Sequence, residues 1–422
     1  MSGAPSNLRE AHMHIPEHGR ELSCLNLSAC ASKEEAMALL SRREPDESGW
    51  VIGVACRPEG WSAPEWPTAS ELDEATGGRP CVVRSFDFHC MVASGEALRR
   101  AGITRDTPDP PDGVIERDGD GEPTGLLMEH AMRLVGDQIP DPTPDEFRAN
   151  VRGALDDMER FGYAESHDML TTTRLCEALI ELDARGELHH TIVLHPTMEH
   201  LDGVLACRDR LPERVSIGGL KIFTDGTLNS RTASMLHPFE DPRRESPRGL
   251  QIMLRQQIDE AIALGARHDL PIVAHAIGDR AVRTMLDAIE AHGPVGDKPH
   301  RIEHAQFIDE EDVPRFARLG VVASMQVCHL LPDMEALRRL VPDRAHRAFV
   351  LRELWEAYES RGVDPTEFLW LGSDAPVVSP DPADTLQAAL HRRRTGMDET
   401  DAINPEQALT REQTLSCLRA RI

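Results

Sequence analysis

Short apolar runs, each followed by a helical pattern, recur along most of this 422-residue chain. They occupy residues 8–14, 163–167, 191–195, 218–223, 271–275, 301–304, 321–326 and 368–373. Eight strand-then-helix units in one chain predict an α/β protein whose parallel sheet closes into a (β/α)8 TIM barrel. An amphipathic stretch over 143–161 opens on Thr143-Pro-Asp-Glu146 and stops at Gly162, which predicts the helix leading into the second unit. A last helical pattern covers 405–419.

Residues 17–142 break the alternation. They hold one helix pattern (33–43), short β-like runs (50–55 and 80–86) and an Asp-Gly hairpin signal at 118–121. This stretch reads as a long insertion between barrel strands 1 and 2 that roofs the barrel mouth. Residues 143–400 carry the main run of units. A separate N-terminal domain is the alternative that length alone allows.

Composition narrows the class. The chain carries 46 Lys and Arg against 72 Asp and Glu, a formal net charge of −26. That balance excludes nucleic acid, whose phosphates demand a basic face, and an anionic membrane surface. Hydrophobic residues at 40% and charged residues at 28% exclude disorder. No apolar run approaches the ~20 residues of a membrane-spanning helix, and the first thirty residues lack a signal pattern. Nine scattered cysteines without a C-x-x-C predict reduced thiols and a cytoplasmic protein. Only Lys33, Lys221 and Lys298 are lysines, so a lysine inside an apolar strand stands out.

The chemistry gathers where the strands end. His12 and His14 sit two apart in a strand, on one face, and can grip one ion. Lys221, His275, His304 and Asp374 each stand where a later apolar run stops, at the face where barrels of this kind carry their sites. Taken singly, each is more simply a cap or a polar residue at the edge of the core. So many ionisable groups on one rim need a cation to stabilise them. Glu303, beside His304, points to the opposite face in a regular strand and reads as structural. His167-Asp168 reads as structural in preference to ligand-adjacent, and Met325 and Cys328 as packing groups.

The motifs Lys221-Ile-Phe-Thr-Asp-Gly-Thr-Leu-Asn-Ser-Arg-Thr232, His275-Ala-Ile-Gly-Asp-Arg-Ala-Val282, His300-Arg-Ile-Glu-His-Ala-Gln306 and Gly372-Ser-Asp-Ala-Pro-Val377 resemble amidohydrolase family 3. That branch includes N-substituted formamide deformylases and YtcJ-like proteins. Asp87-Phe-His89 followed by Ser94 and Ala97-Leu98 extends the resemblance into the insertion. It covers nearly all of residues 1–422, read as a single metal-dependent hydrolase barrel. Two departures stand out. Glu10 occupies the place where the family usually carries Asp, and the family's accessory β-sandwich is expected to be missing or truncated.

The resemblance implies metal ligation by His12, His14, Lys221, His275, His304 and Asp374. His12 and His14 would hold the more buried ion, and His275 and His304 the more exposed one. A CO2-derived carbamate on Lys221 would bridge them; an unmodified Lys221 paired with an acid, beside a single ion, is the alternative. One or two Zn2+ ions suit these nitrogen and oxygen donors, with Fe, Mn or Co as substitutes. Arg231, Asp87, His89 and His329 are candidates for binding substrate. Asp279 either orients a ligand or caps a helix.

The expected activity is hydrolysis of a non-peptide C–N bond in a small amide, N-formyl or N-acyl amine, or cyclic amide. Attack is by metal-bound hydroxide, with Asp374 as the catalytic proton carrier. The alternatives are a mononuclear deaminase of an amidine or amino-ring substrate and a catalytically silent truncated barrel. The expected partner is a small-molecule substrate, and a homodimer is admitted.

Overall fold

The computed structural model describes residues 6–86, 90–111 and 113–420. The chain divides into two compact units. One takes the described residues through His18 and again from Ala154, and the other is Gly19–Gly153, which runs into the helix Pro144–Arg160. Strand β1 (Leu8–Met13) belongs to the first unit, and the chain then builds the second before returning.

The second unit is a six-stranded sheet. Its strands are β2 (Leu25–Asn26), β3 (Val51–Cys56), β4 (Cys81–Ser85), β5 (Cys90–Ala93), β6 (Gly113–Arg117) and β7 (Pro123–Glu129), in the order β2-β3-β4-β5-β7-β6. The helices Lys33–Arg42 and Ala69–Thr76 carry the chain back between β2, β3 and β4, so these three run parallel. The remaining pairs are antiparallel. The hairpin expected at 118–121 joins β6 to β7, with the Gly121 N–H donating to the Asp118 carbonyl at 3.0 Å.

Side chains alternate across this sheet with period two. Val83, Val92 and Leu126 pack with Leu40 and Leu72 in one cluster. Their neighbours Val82, Met91 and Leu127 pack with Leu98 and Val135 in another. Both faces are therefore covered, and both are apolar.

The first unit returns with β8 (Tyr163–Asp168), β9 (Thr191–Leu194), β10 (Val215–Ile217), β11 (Leu220–Phe223), β12 (Ile272–Ala276), β13 (Arg301–His304), β14 (Val322–Met325) and β15 (Leu369–Leu371). One sheet has the order β1-β8-β9-β10 and another β11-β12-β13-β14-β15, and every pairing in both is parallel. Backbone hydrogen bonds also run past the sheet ends. Asp374 N–H donates to the His12 carbonyl (2.7 Å), His14 N–H to that of Ala375 (2.8 Å) and Lys221 N–H to that of Pro196 (2.8 Å).

Two segments differ from expectation. The run 218–223 begins its strand only at Leu220, after a separate β10. Gly218 and Gly219 interrupt it because neighbours press close: a Cβ would lie 2.3 Å from a Val193 methyl and 2.7 Å from the Pro271 carbonyl, respectively. The pattern at 405–419 forms a single turn, Pro405–Gln407, and then a helix, Arg411–Cys417. A capping box starts the second piece afresh: Gln413 N–H donates to Thr410 Oγ1, and Thr410 N–H to Gln413 Oε1.

The helix Asp279–His292 shows how the strands are covered. It buries Ala281, Val282, Met285, Leu286 and Ile289 at helical spacing. Each large apolar side chain of this kind contributes roughly 1.5–3 kcal/mol on burial. Strands β1, β12 and β13 are wholly buried and β11 nearly so, yet none is wholly apolar. Arg9, Glu10, His12, Lys221, His275, Arg301, Glu303 and His304 all lie within them, and all are buried. Among the described residues no helix is long and apolar enough to cross a membrane.

Candidate metal centre

Parallel strands put all their carboxyl ends on one side, so the residues that close them meet. His12 Nε2 lies 3.4 Å and His14 Nε2 3.0 Å from Asp374 Oδ1. The His304 ring sits 4.8 Å from that of His12 and 4.5 Å from that of His275, centroid to centroid. His12, His304 and Asp374 each offer a ligand atom, and these atoms fall within 4.8 Å of one another. Lys221 is 1% exposed, and its Nζ has no hydrogen-bond partner among the described residues.

The backbone helps to aim these groups. His304 (φ 67°) and Ala305 (φ 42°) adopt left-handed conformations where β13 stops, and Asp374 (φ 64°) does so three residues beyond β15. Such residues cost of order 1–3 kcal/mol and persist where the surroundings hold them. Here they swing His304 and Asp374 out of strand alternation. This corrects the reading of Glu303. Arg301 and Glu303 keep the alternation and share a face, so Glu303 faces His12 with its Oε2 2.7 Å from His12 Nδ1, and it is His304 that turns.

Partners also select the imidazole tautomers. His12 Nδ1–H donates to Glu303, which leaves its Nε2 lone pair turned toward Asp374. His275 Nε2–H donates to the Gly226 carbonyl at 3.2 Å, with Asp225 Oδ1 3.5 Å away, which leaves its Nδ1 as the lone-pair nitrogen.

Burial shapes the charges. It drives His12 and His304 well below the usual imidazole range and brings His275 down to about 4, so all three are neutral and able to bind a cation. Burial likewise lowers the Lys221 ammonium to about 8, against the pull of Glu303 and Asp374. For Asp374 burial opposes ionisation, yet contact with His14 beside it holds its carboxyl well below the usual range. Burial lowers His14 too, but contact with Asp374 outweighs it and the net shift is upward.

The donor set fits a metal ion. It offers neutral imidazoles and an ionised carboxylate within one ion's reach, with buried His14 Nδ1, Lys221 Nζ and Asp374 Oδ1 lacking hydrogen bonds. Burying polar atoms unpaired costs several kcal/mol unless something else satisfies them.

Supporting groups surround the cluster. Glu10 Oε1 accepts the N–H groups of His12 (3.0 Å) and Ser373 (2.9 Å), tying β1 to the segment that carries Asp374, and burial pushes its carboxyl up to about 7. Gly372 makes room for it, since a Cβ there would lie 2.6 Å from Glu10 Oε1. Asp225 accepts N–H groups of Ser234, Ile277 and Gly278 at 2.8–3.0 Å, holding the loops after β11 and β12 together. Glu10 is marked in the sequence only by its place two residues before His12, and Asp225 only as a member of the Lys221–Thr232 motif; neither signal states the backbone N–H groups each would hold.

Of the other candidates, His329 borders the cluster, and Arg231 and Asp279 are held by their own partners. Arg231 pairs with Asp241 at 2.6 Å. Asp279 opens the helix Asp279–His292 and accepts the N–H groups of Leu236 and Arg280. His329 Nε2–H donates to the Ser373 carbonyl at 2.9 Å, and its ring lies 6.4 Å from that of His304. Asp168 accepts from Ile15 N–H (3.0 Å) and Thr171 (2.7 Å), and His167 from Arg301 Nη1 (2.8 Å). Met325 and Cys328 are fully buried. Asp87 and His89 lie outside the described residues.

Known proteins resemble this chain over most of its length. A family model described as Amidohydrolase family matches residues 8–421. "Putative amidohydrolase YtcJ" of Bacillus subtilis (strain 168) is 28% identical over 95% of this chain and 75% of its own length. "N-substituted formamide deformylase" of Arthrobacter pascens is 25% identical over 96% of this chain and 76% of its own. Among solved structures, an uncharacterized metal-dependent hydrolase from Pyrococcus horikoshii superposes with a TM-score of 0.77 at 24% identity, covering 97% of this chain and 78% of its own.

Proposed function

The chain belongs to the amidohydrolase family, in its family 3 branch, and from that premise we propose that it hydrolyses a non-peptide C–N bond in a small amide, N-formyl or N-acyl amine, or cyclic amide. The observation that carries this is the convergence of His12, His304 and Asp374 beside the buried, unpartnered Lys221 amine. The two parallel sheets, hydrogen-bonded past their ends at Asp374–His12 and Lys221–Pro196, are read as one (β/α)8 barrel.

His12, His14 and Asp374 would hold the more buried ion, and His275 and His304 the more exposed one. Zn2+ suits these donors, with Fe, Mn or Co as substitutes. Bound there, the metal supplies Lewis-acid polarisation of the scissile carbonyl and lowers the pKa of water toward ~7.

Lys221 has the chemistry to form a carbamate that would help hold the metal. Its amine is buried, brought down to about 8 and free of hydrogen bonds, so a neutral fraction is available to react with CO2. The carbamate would give two oxygens where the amine gives one nitrogen. Asp374 is ionised with Oδ1 turned to the imidazoles. Its other oxygen, Oδ2, takes the proton of the attacking water and returns it to the leaving nitrogen. His275 and His304 stay neutral and do not compete for that proton.

The test is metal analysis of the purified chain with a screen of N-formyl amines, N-acyl amines and cyclic amides, run beside Asp374→Asn. Metal-dependent amine release that Asp374→Asn abolishes supports the reading. Metal-loaded protein with no turnover on any of these classes counts against it, and ammonia release from amidines with one ion per chain would favour a deaminase.

A further inference from the structure

The two imidazoles of the His-x-His pair are supported in opposite ways. His12 Nδ1 lies 2.7 Å from Glu303 Oε2, whereas His14 Nδ1 is buried with no hydrogen-bond partner among the described residues. Glu303 is fully buried, and its other oxygen lies 2.8 Å from Arg301 Nη2. Arg301 is held in turn by the Ala11 carbonyl (2.9 Å), Ser324 Oγ (3.2 Å) and His167 Nδ1 (2.8 Å), and its guanidinium lies over the Trp370 ring at 4.7 Å. The contacts therefore run from the candidate centre through the buried Glu303 and Arg301 side chains.

Resting on the metal reading above, we propose that Glu303, braced by Arg301, is a positioning residue that fixes the His12 tautomer and makes His12, and not His14, the principal anchor of the buried ion. A neutral imidazole carries one N–H. A carboxylate can only accept, so Glu303 requires that hydrogen on Nδ1 and leaves the Nε2 lone pair facing Asp374. The carboxylate also makes Nε2 a stronger donor toward a cation. A lone buried Glu303 anion would be costly, and Arg301 supplies the opposing charge through a planar fork that the surrounding carbonyl and ring hold in place. His14 has no such partner, so its orientation depends on Asp374 alone.

The experiment compares wild type with Glu303→Gln in the full chain. Zn2+ affinity is read by competition with a chromophoric chelator, and the Co2+-substituted absorption spectrum is recorded alongside. The His12 tautomer is read from 15N shifts of the metal-free protein. Glu303→Gln should weaken Zn2+ by about 10–100-fold, shift the Co2+ bands and lose the uniform Nδ1–H state of His12. Glu303→Asp, which keeps the charge and shortens the reach, should fall between the two and serves if the amide variant fails to fold. His12→Ala should weaken Zn2+ more than His14→Ala. Wild-type affinity and spectrum in Glu303→Gln, or equal losses in the two histidine variants, overturn the role given to Glu303. A wild-type chain that takes up no zinc overturns the metal reading itself.

Discussion

The two units bury their strands by the same packing rules but with opposite contents. In Gly19–Gly153 the sheet presents Val83, Val92 and Leu126 to one cluster and Val82, Met91 and Leu127 to another. In the other unit β1 buries Arg9, Glu10 and His12, and β13 buries Arg301, Glu303 and His304. Apolar strands fold on hydrophobic burial alone, while buried ionisable groups each need a partner or a cation. The contrast separates a region whose sequence serves packing from one whose sequence gives up stability for chemistry.

Breaking the polar side should be most damaging to activity. Asp374→Asn is expected to keep metal and lower kcat by at least about a thousandfold, measured on whichever amide the screen identifies; unchanged turnover would remove its proton-carrying role. Chelation should abolish activity, lower Tm and be reversed by added Zn2+, since a ligand bound only to the folded state stabilises it. A Tm indifferent to chelator would show that the cluster does not rely on a cation. Lys221→Ala should reduce metal to about one ion per chain, with partial rescue by short carboxylic acids; full occupancy would exclude the bridge.

The apolar side should respond in stability and not in metal content. Leu127→Ala, at a fully buried position, should cost about 2–5 kcal/mol in denaturant unfolding while Zn2+ stoichiometry stays at the wild-type value. Metal loss in that variant would mean the two regions are not separable in this way. The smallest effect belongs to Arg231→Ala. Its partner Asp241 is largely exposed, so stability should change by roughly 1 kcal/mol or less, and a large rise in KM would restore Arg231 as a substrate clamp.

Much of the strand pattern was legible because short apolar runs bounded by polar ends mark buried parallel strands. The run over 301–304 is β13 itself, and 271–275 differs from β12 by one residue at each end. The strand break before Leu220 was not legible, since Gly218 and Gly219 are required by Val193 and Pro271, which are distant in sequence. The histidines and Asp374 stand out as ionisable groups where apolar runs end, and Lys221 as a lysine inside an apolar strand. Glu303 was misjudged because its direction depends on where regular backbone stops, and the left-handed turn at His304 is a tertiary feature. Arg231 and Asp279 could not be separated from surface and cap residues by spacing, and their partners Asp241 and Leu236 are supplied by folding.

By itself the sequence determined which residue types close the strands, since their period and their polar ends are local properties of the chain. It also determined the scarcity that makes Lys221 conspicuous. Only the tertiary structure decided which nitrogen of His12 faces Asp374, which acids support the histidines and which amine is left unpartnered. Those facts depend on distances between strands hundreds of residues apart, and hydrogen-bond direction and desolvation exist only once those strands have met.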